Sequence, residues 1–279
     1  MMTDVNAFAY YLYGITARSG DCDEPLAGVG AGEPVSRVTF EDLQAVVSRV
    51  PLADFSAGAL QARMKEAAWL EGQVLAHERV IRVVFARRTI IPIKFGTLLE
   101  TKDAVTQRLQ ENAPRFRALL QQLAGKQEWG VKIFANRAAL KTNLVTNDAT
   151  LARQAAALAK KRAGAAYLYQ KKLDEQIAQR VEQALLAEAD AAYIRLLASA
   201  EEGCLLRLLP PELTGRSGES NPWDVMILNA AFLVKPEALI AFIHQVERLQ
   251  PEHDWWQIEW TGPWAPYNFL NSAAESEHV

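Results

Sequence analysis

A chain of 279 residues that is 50% hydrophobic and 23% charged, with a net charge of only -3, has the make-up of an ordinary globular protein of two domains. It lacks the basic excess of a nucleic-acid binder, and its two cysteines, Cys22 and Cys204, have no CxxC spacing for zinc or a disulfide framework. The opening MMTDVNAFAYYLYGI has no basic n-region and too short an apolar run for a membrane span, so a cytoplasmic protein is expected.

Residues 7–15, AFAYYLYGI, are dense in β-formers and read as a first strand. After the Gly- and Pro-rich DCDEPLAGVGAGEP, the runs VSRVTF and LQAVVSRV are separated only by Glu41 and Asp42 and read as a hairpin. From about Leu60 to Arg87 the period turns helical, with Leu70, Val74, His77, Ile81 and Val84 on one face. RTIIPIKFGTLL is strand-like, and Pro92 within it demands an edge or a bulge. A helix opened by Thr101 or Asp103 and closed by Gly125 follows, with a kink or break at Pro114.

EWGVKIFA, residues 128–135, alternates like a strand and opens a second domain, which puts the boundary near 125. The Ala-rich stretch from about Arg137 to Ala200 is helical, with a break at Arg162, Ala163 and Gly164. Its apolar stripe runs through Leu173, Ile177, Val181 and Leu185 to Ile194. GCLLRLLP, WDVMILNAAFLV, PEALIAFIHQVERLQ and WWQIEW then give strand, strand, helix and strand. The expected fold is α+β in two domains. Residues 1–125 form an N-terminal mixed sheet domain. Residues 126–279 form a C-terminal ferredoxin-like, split βαβ domain with a long helical segment and a closing C-terminal piece.

A catalytic constellation does not emerge. Gly28, Gly30 and Gly32 lack the third glycine of GxGxxG and the strand and helix that should frame it, which leaves a flexible turn as the simpler reading. His77 and Glu78 are neighbours in sequence, but on a helix they point about 100° apart, and His77 falls on the apolar stripe of a packed, hydrogen-bonded imidazole. His244, His253 and His278 have no metal-ligand spacing, and no GxSxG occurs. Asp21 to Glu24, Glu201 with Glu202, and the basic run Lys160 to Arg162 read as solvated surface. No catalytic residue, cofactor or metal is expected.

Four of the seven tryptophans fall between residues 252 and 270. Strand alternation puts Trp256, Ile258 and Trp260 on a core face and leaves Trp255 half-exposed beside Gln257 and Glu259. Gly262 and Pro263 are expected to end the strand, and the piece beyond is expected to fold back with Trp264 as its buried anchor. Trp255, Trp264, Tyr267 and Phe269 are the candidate partner interface, the packed reading being the simpler one for this segment.

The blocks YLYGI, AHERVI, IPIKFGTLL, EWGVKIF, AAYLYQKK, LNAAFLV and GPWAPYNFL, in this order from about residue 8 to residue 270, resemble the gas vesicle protein F/L family. Lys94, Lys171 and Lys172 keep positive charge where the family favours arginine, without arginine's planar fork. The resemblance implies a non-enzymatic accessory or minor structural protein of gas vesicle assembly. Its partners would be the hydrophobic shell protein and other accessory proteins, with neither nucleic acid nor membrane, and it leaves F or L branch and oligomeric state open. The alternative is a small-molecule-binding module or enzyme on the ferredoxin-like domain, using His77 and Glu78 or the Gly28 loop.

Overall fold

The computed structural model describes residues 8–20, 26–30, 34–63, 65–158, 163–216, 221–223 and 225–270. The expectations for Asp21 to Glu24, Gly32, Lys160 to Arg162 and His278 fall outside these residues. Two compact units result, one holding the chain up to Glu128 together with the chain from Pro263 onward, the other Trp129–Gly262.

In the first unit, β1 (Phe8–Ala17), β2 (Ser36–Phe40) and β3 (Leu43–Pro51) precede the helices. Phe40 pairs with Leu43, so β2 and β3 turn on Glu41 and Asp42 alone, with Glu41 in the left-handed region at φ 50°. Arg117 ties down this turn through both carboxylates, Nε to Asp42 and an Nη to Glu41 at 2.6 Å. The short helices α1 (Leu52–Phe55) and α2 (Ala57–Arg63) lead into α3 (Ala67–Phe85), which buries His77, Val80, Ile81 and Val84, while Val74 stays at the surface.

RTIIPIKFGTLL divides into β4 (Ile90–Pro92) and β5 (Leu98–Leu99), both antiparallel to β1. The sheet order is β2-β3-β1-β4, with β5 on β1. Pro92 therefore ends an edge strand, where its missing N–H costs no ladder bond. Helices α4 (Lys102–Glu111) and α5 (Ala113–Gln122) meet at Asn112, with Pro114 in the first turn of α5, where a missing donor is harmless. Thr101 caps α4, its Oγ1 accepting from the Ala104 amide. Tyr11 and Tyr13 of β1 join Val80, Ile81 and Val84 of α3 in one core, and Leu12 between them turns to the opposite face.

In the second unit, β6 (Gln127–Ala135) is followed by α6 (Arg137–Asn147), α7 (Ala149–Leu158) and the 35-residue α8 (Ala163–Leu197). Then come β7 (Glu202–Leu205), the short α9 (Pro211–Thr214), β8 (Val225–Val234), α10 (Leu239–Leu249) and β9 (Trp256–Trp264). The sheet order is β7-β8-β6-β9. Val131 and Ile133 of β6, Ala230 and Phe232 of β8, and Trp256 and Ile258 of β9 share one core with α8 and α10. The α8 stripe continues from Leu185 through Ala189 and Ala192 to Leu196; Ile194, two residues from both Ala192 and Leu196 and so about 200° round the helix, is exposed instead. Both units are mixed α+β built on antiparallel sheets.

Two sequence boundaries move. The strand begun by WWQIEW does not stop at Gly262 and Pro263 but runs through Trp264, because β9 is the outer strand of its sheet and a proline is tolerated there. The segment from Pro263, grouped in sequence with residues 126–279, packs in the first unit, where Ala265 and Tyr267 belong to the core of α3 and β1.

Candidate functional site

Of the four candidate interface residues, Trp264 alone presents open surface, at 45% exposure. It is not the buried anchor. That part falls to Phe269, 1% exposed, while the half-buried Tyr267 and the exposed Asn268 beside it make the segment's hydrogen bonds to Glu78 and Glu128. Trp255 is 3% exposed rather than half-exposed, since β9 starts only at Trp256 and strand alternation does not reach it. Its ring stacks on His253 with centroids 4.5 Å apart, and its carbonyl accepts from the Asn136 amide. Trp260 does lie on the core face, over Trp129 at 5.4 Å, but an outer strand leaves it 38% exposed. Gln257 and Glu259 occupy the other face, where both bond to Arg216, whose guanidinium covers the Phe134 ring at 3.8 Å.

The closing segment brings together groups far apart in sequence. Tyr267 donates its hydroxyl proton to Glu78 Oε1 at 2.8 Å and lies 3.4 Å from His77 Nε2. On the other side of the ring, Tyr11 is bonded to His77 Nδ1 at 2.9 Å and accepts from the Gly96 amide. A neutral imidazole with its proton on Nε2 satisfies this chain, Tyr11 donating to Nδ1 and Nε2 facing the Tyr267 oxygen. Burial holds the His77 pKa down at about 4, and the hydrogen bond to the Ile93 backbone opposes that without offsetting it. Burial also raises the Tyr267 hydroxyl, helped by the charge of Glu78, so it remains a donor.

One residue along, Asn268 donates both its backbone amide and its side-chain amide to Glu128, at 2.9 and 2.7 Å. Glu128 is buried, and desolvation raises its pKa despite those two bonds. The His77 and Glu78 side chains thus meet only through a third residue 189 or more positions away, and His77 at 1% exposure has no face for a substrate. The described part of the glycine loop is occupied at two of its amides. The Val29 amide donates to Tyr13 Oη and the Gly30 amide to Gln73 Oε1, so neither is open to a phosphate. Among the described residues no group of three His, Cys, Asp or Glu could hold a metal.

Open apolar surface lies elsewhere. Tyr167, Leu168 and Tyr169 of α8 are all exposed, within the AAYLYQKK block, and beside them a groove runs between α7 and α8. Sequence marks the block but not its exposure, because an apolar residue off the main stripe of a helix can cover a neighbouring helix or face water.

The sequence model of the family described as gas vesicle synthesis protein GvpL/GvpF matches residues 9–271. The chain belongs to the GvpL/GvpF family. Gas vesicle protein L of Streptomyces sp. (strain CB03234) is 31% identical over 273 residues, covering 96% of this chain and 95% of that protein. Gas vesicle protein F1 of Halobacterium salinarum is 25% identical over 264 residues, covering 94% and 92%. Among solved structures, the gas vesicle protein GvpF from Anabaena sp. PCC7120 superposes with a TM-score of 0.68 at 23% identity, over 94% of this chain and 98% of that one. That likeness shows a shared fold, while the family match gives this GvpL/GvpF member a gas vesicle-related function. No helix among its described residues is long and apolar enough to cross a membrane.

Proposed function

We propose that this chain is an accessory or minor structural protein of gas vesicle assembly, active in the cytoplasm and at the vesicle, which binds the hydrophobic shell protein, other accessory proteins or both. The observation that carries the reading is the family match, which spans both units and not one module. The occluded His77 and the occupied amides of the glycine loop support a binding role over a catalytic one. Trp264 and the exposed face of α8 offer apolar surface of the kind a shell subunit would meet. For the second unit, the element order strand, helix, strand, strand, helix, strand and the central β8 and β6 support a ferredoxin-like description.

Deletion of the gene in a vesicle-forming host is expected to abolish or deform the vesicles, with the tagged protein co-isolating with the shell subunit or an accessory protein during assembly. Normal vesicles in a clean deletion would overturn the reading.

A further inference from the structure

The closing segment is joined to the first unit as a guest would be. Tyr267 bonds to Glu78 and lies against His77, Asn268 donates twice to Glu128, and Arg115 of α5 donates from Nη2 to the Leu270 carbonyl at 3.4 Å. These four partners precede their bonded residues by 140 to 190 positions, and the chain between Glu128 and Pro263 belongs to the second unit. The segment also carries its own shape. Pro266 leads into a short 3-10 turn at Tyr267–Phe269, and the Tyr267 amide donates to the Ala265 carbonyl inside the segment. Ala265 and Phe269 supply its buried apolar contacts.

A chain's own segment is therefore favoured over an identical one from another copy by its tether, since the bonds at the slot would be the same. That tether passes through a conformation few residues take. Gly262, the last residue of the second unit, has φ 151°, in a region essentially confined to glycine, and the φ of Pro263 after it is fixed by its ring. A residue before proline ordinarily takes a negative φ and an extended backbone. Seating the segment in its own slot thus confines the hinge, whereas a segment seated in another copy leaves Gly262 free to take the ordinary form. Short, constrained hinges of this kind favour exchange of the element beyond them between copies.

We propose that the closing segment exchanges between two copies of this chain. Residues 263–270 of one copy seat in the slot of the second, re-forming the bonds at His77, Glu78, Arg115 and Glu128 in trans, and the second copy's segment seats in the first. The partner follows from the slot, whose fitting occupant is the chain's own sequence, so the inference stands whether or not the chain takes part in vesicle assembly.

The test co-expresses two full-length chains with different tags, so that they fold together. Each has Cys22 and Cys204 replaced by serine and carries one new thiol, Arg115→Cys in the first chain and Leu270→Cys in the second. These positions flank a contact of 3.4 Å and spare the bonds to Glu78 and Glu128. A short bismaleimide added after lysis should join the two tags several-fold more often than in a control pair, in which Tyr167→Cys, an exposed site on α8, replaces Arg115→Cys. Phe269→Ala in the second chain should return the yield to that of the control. Gly262→Ala in both chains burdens the tethered route and should raise the yield, with thermal melting to show that the chains are folded. A yield no higher than the control's, or one that Phe269→Ala leaves unchanged, overturns the exchange. A lower yield from folded Gly262→Ala chains would overturn it as well.

Discussion

Replacing His77 by glutamine should remove a pH dependence that the closing segment creates. In the folded chain the ring accepts a proton only at about pH 4, against 6.5 for an unconstrained histidine. Between those values the unfolded chain binds the proton and the folded one does not, so stability is full above about pH 6.5 and is lost as pH falls toward about 4. At about 1.4 kcal/mol for each pH unit, the loss attributable to His77 is roughly 3 kcal/mol. Glutamine keeps an acceptor for Tyr11 and a donor toward Tyr267 but does not titrate. Glu128 has the opposite sign, because its raised pKa makes the fold less stable as pH rises above the ordinary carboxylate range. The quantity to read is therefore the difference between parent and His77→Gln, in which Glu128 cancels. Urea series at pH 7.5, 6, 5 and 4, followed by hydrogen exchange of peptides from α3, report on the first unit alone. The stability of the parent relative to the variant should drop by roughly 3 kcal/mol across that series. Curves that stay parallel to within about 0.5 kcal/mol would refute the argument that a buried neutral imidazole sits at the centre of this unit.

The remaining expectations concern the same region. Phe269→Ala, at a nearly fully buried ring, should cost about 3–5 kcal/mol in urea unfolding, whereas Trp264→Ala should cost less than about 1 kcal/mol; a reversed order would restore Trp264 as the anchor. Tyr267→Phe removes the hydroxyl shared between Glu78 and His77 and should cost about 1–2 kcal/mol by the same measurement. Gly28→Ala would bring a methyl to 2.5 Å from Tyr13 Oη and 2.7 Å from Ser48 Oγ, and should lower the thermal midpoint through about 1–3 kcal/mol of overpacking.

Local rules carried much of the fold. The two-residue turn at Glu41 and Asp42, the Thr101 cap, the break at Pro114 and the succession of strands and helices along the second half each follow from a few adjacent residues. The failures share a cause. Alternation places Trp255 and Trp260, and the Gly262–Pro263 pair sets Trp264 beyond the strand, but neither signal tells where the strand begins or ends or whether it is the outermost one. The links of Tyr267 to Glu78 and of Asn268 to Glu128 span 189 and 140 residues and leave no periodic mark. The α7–α8 groove was illegible for a different reason. Its glutamines and cations look like any solvated helix face until the neighbouring helix is in place beside them.

Because the first unit is finished by residues beyond Pro263, it cannot be completed in the order in which the chain is made. At ribosomal rates of about 5–20 residues per second, His77 leaves the peptidyl-transferase centre roughly 10–40 seconds before Tyr267 is added. From its own addition Glu128 likewise lacks its two donors until Asn268 follows 140 residues later, roughly 7–28 seconds at the same rates. The second unit, contiguous from Trp129 to Gly262, also waits for its last strand, β9, but that strand is made before the segment that seals the first unit. A nascent chain should thus carry a folded second unit ahead of a sealed first one, and a stop codon near 262 would leave both buried polar groups open on an otherwise nearly full-length protein.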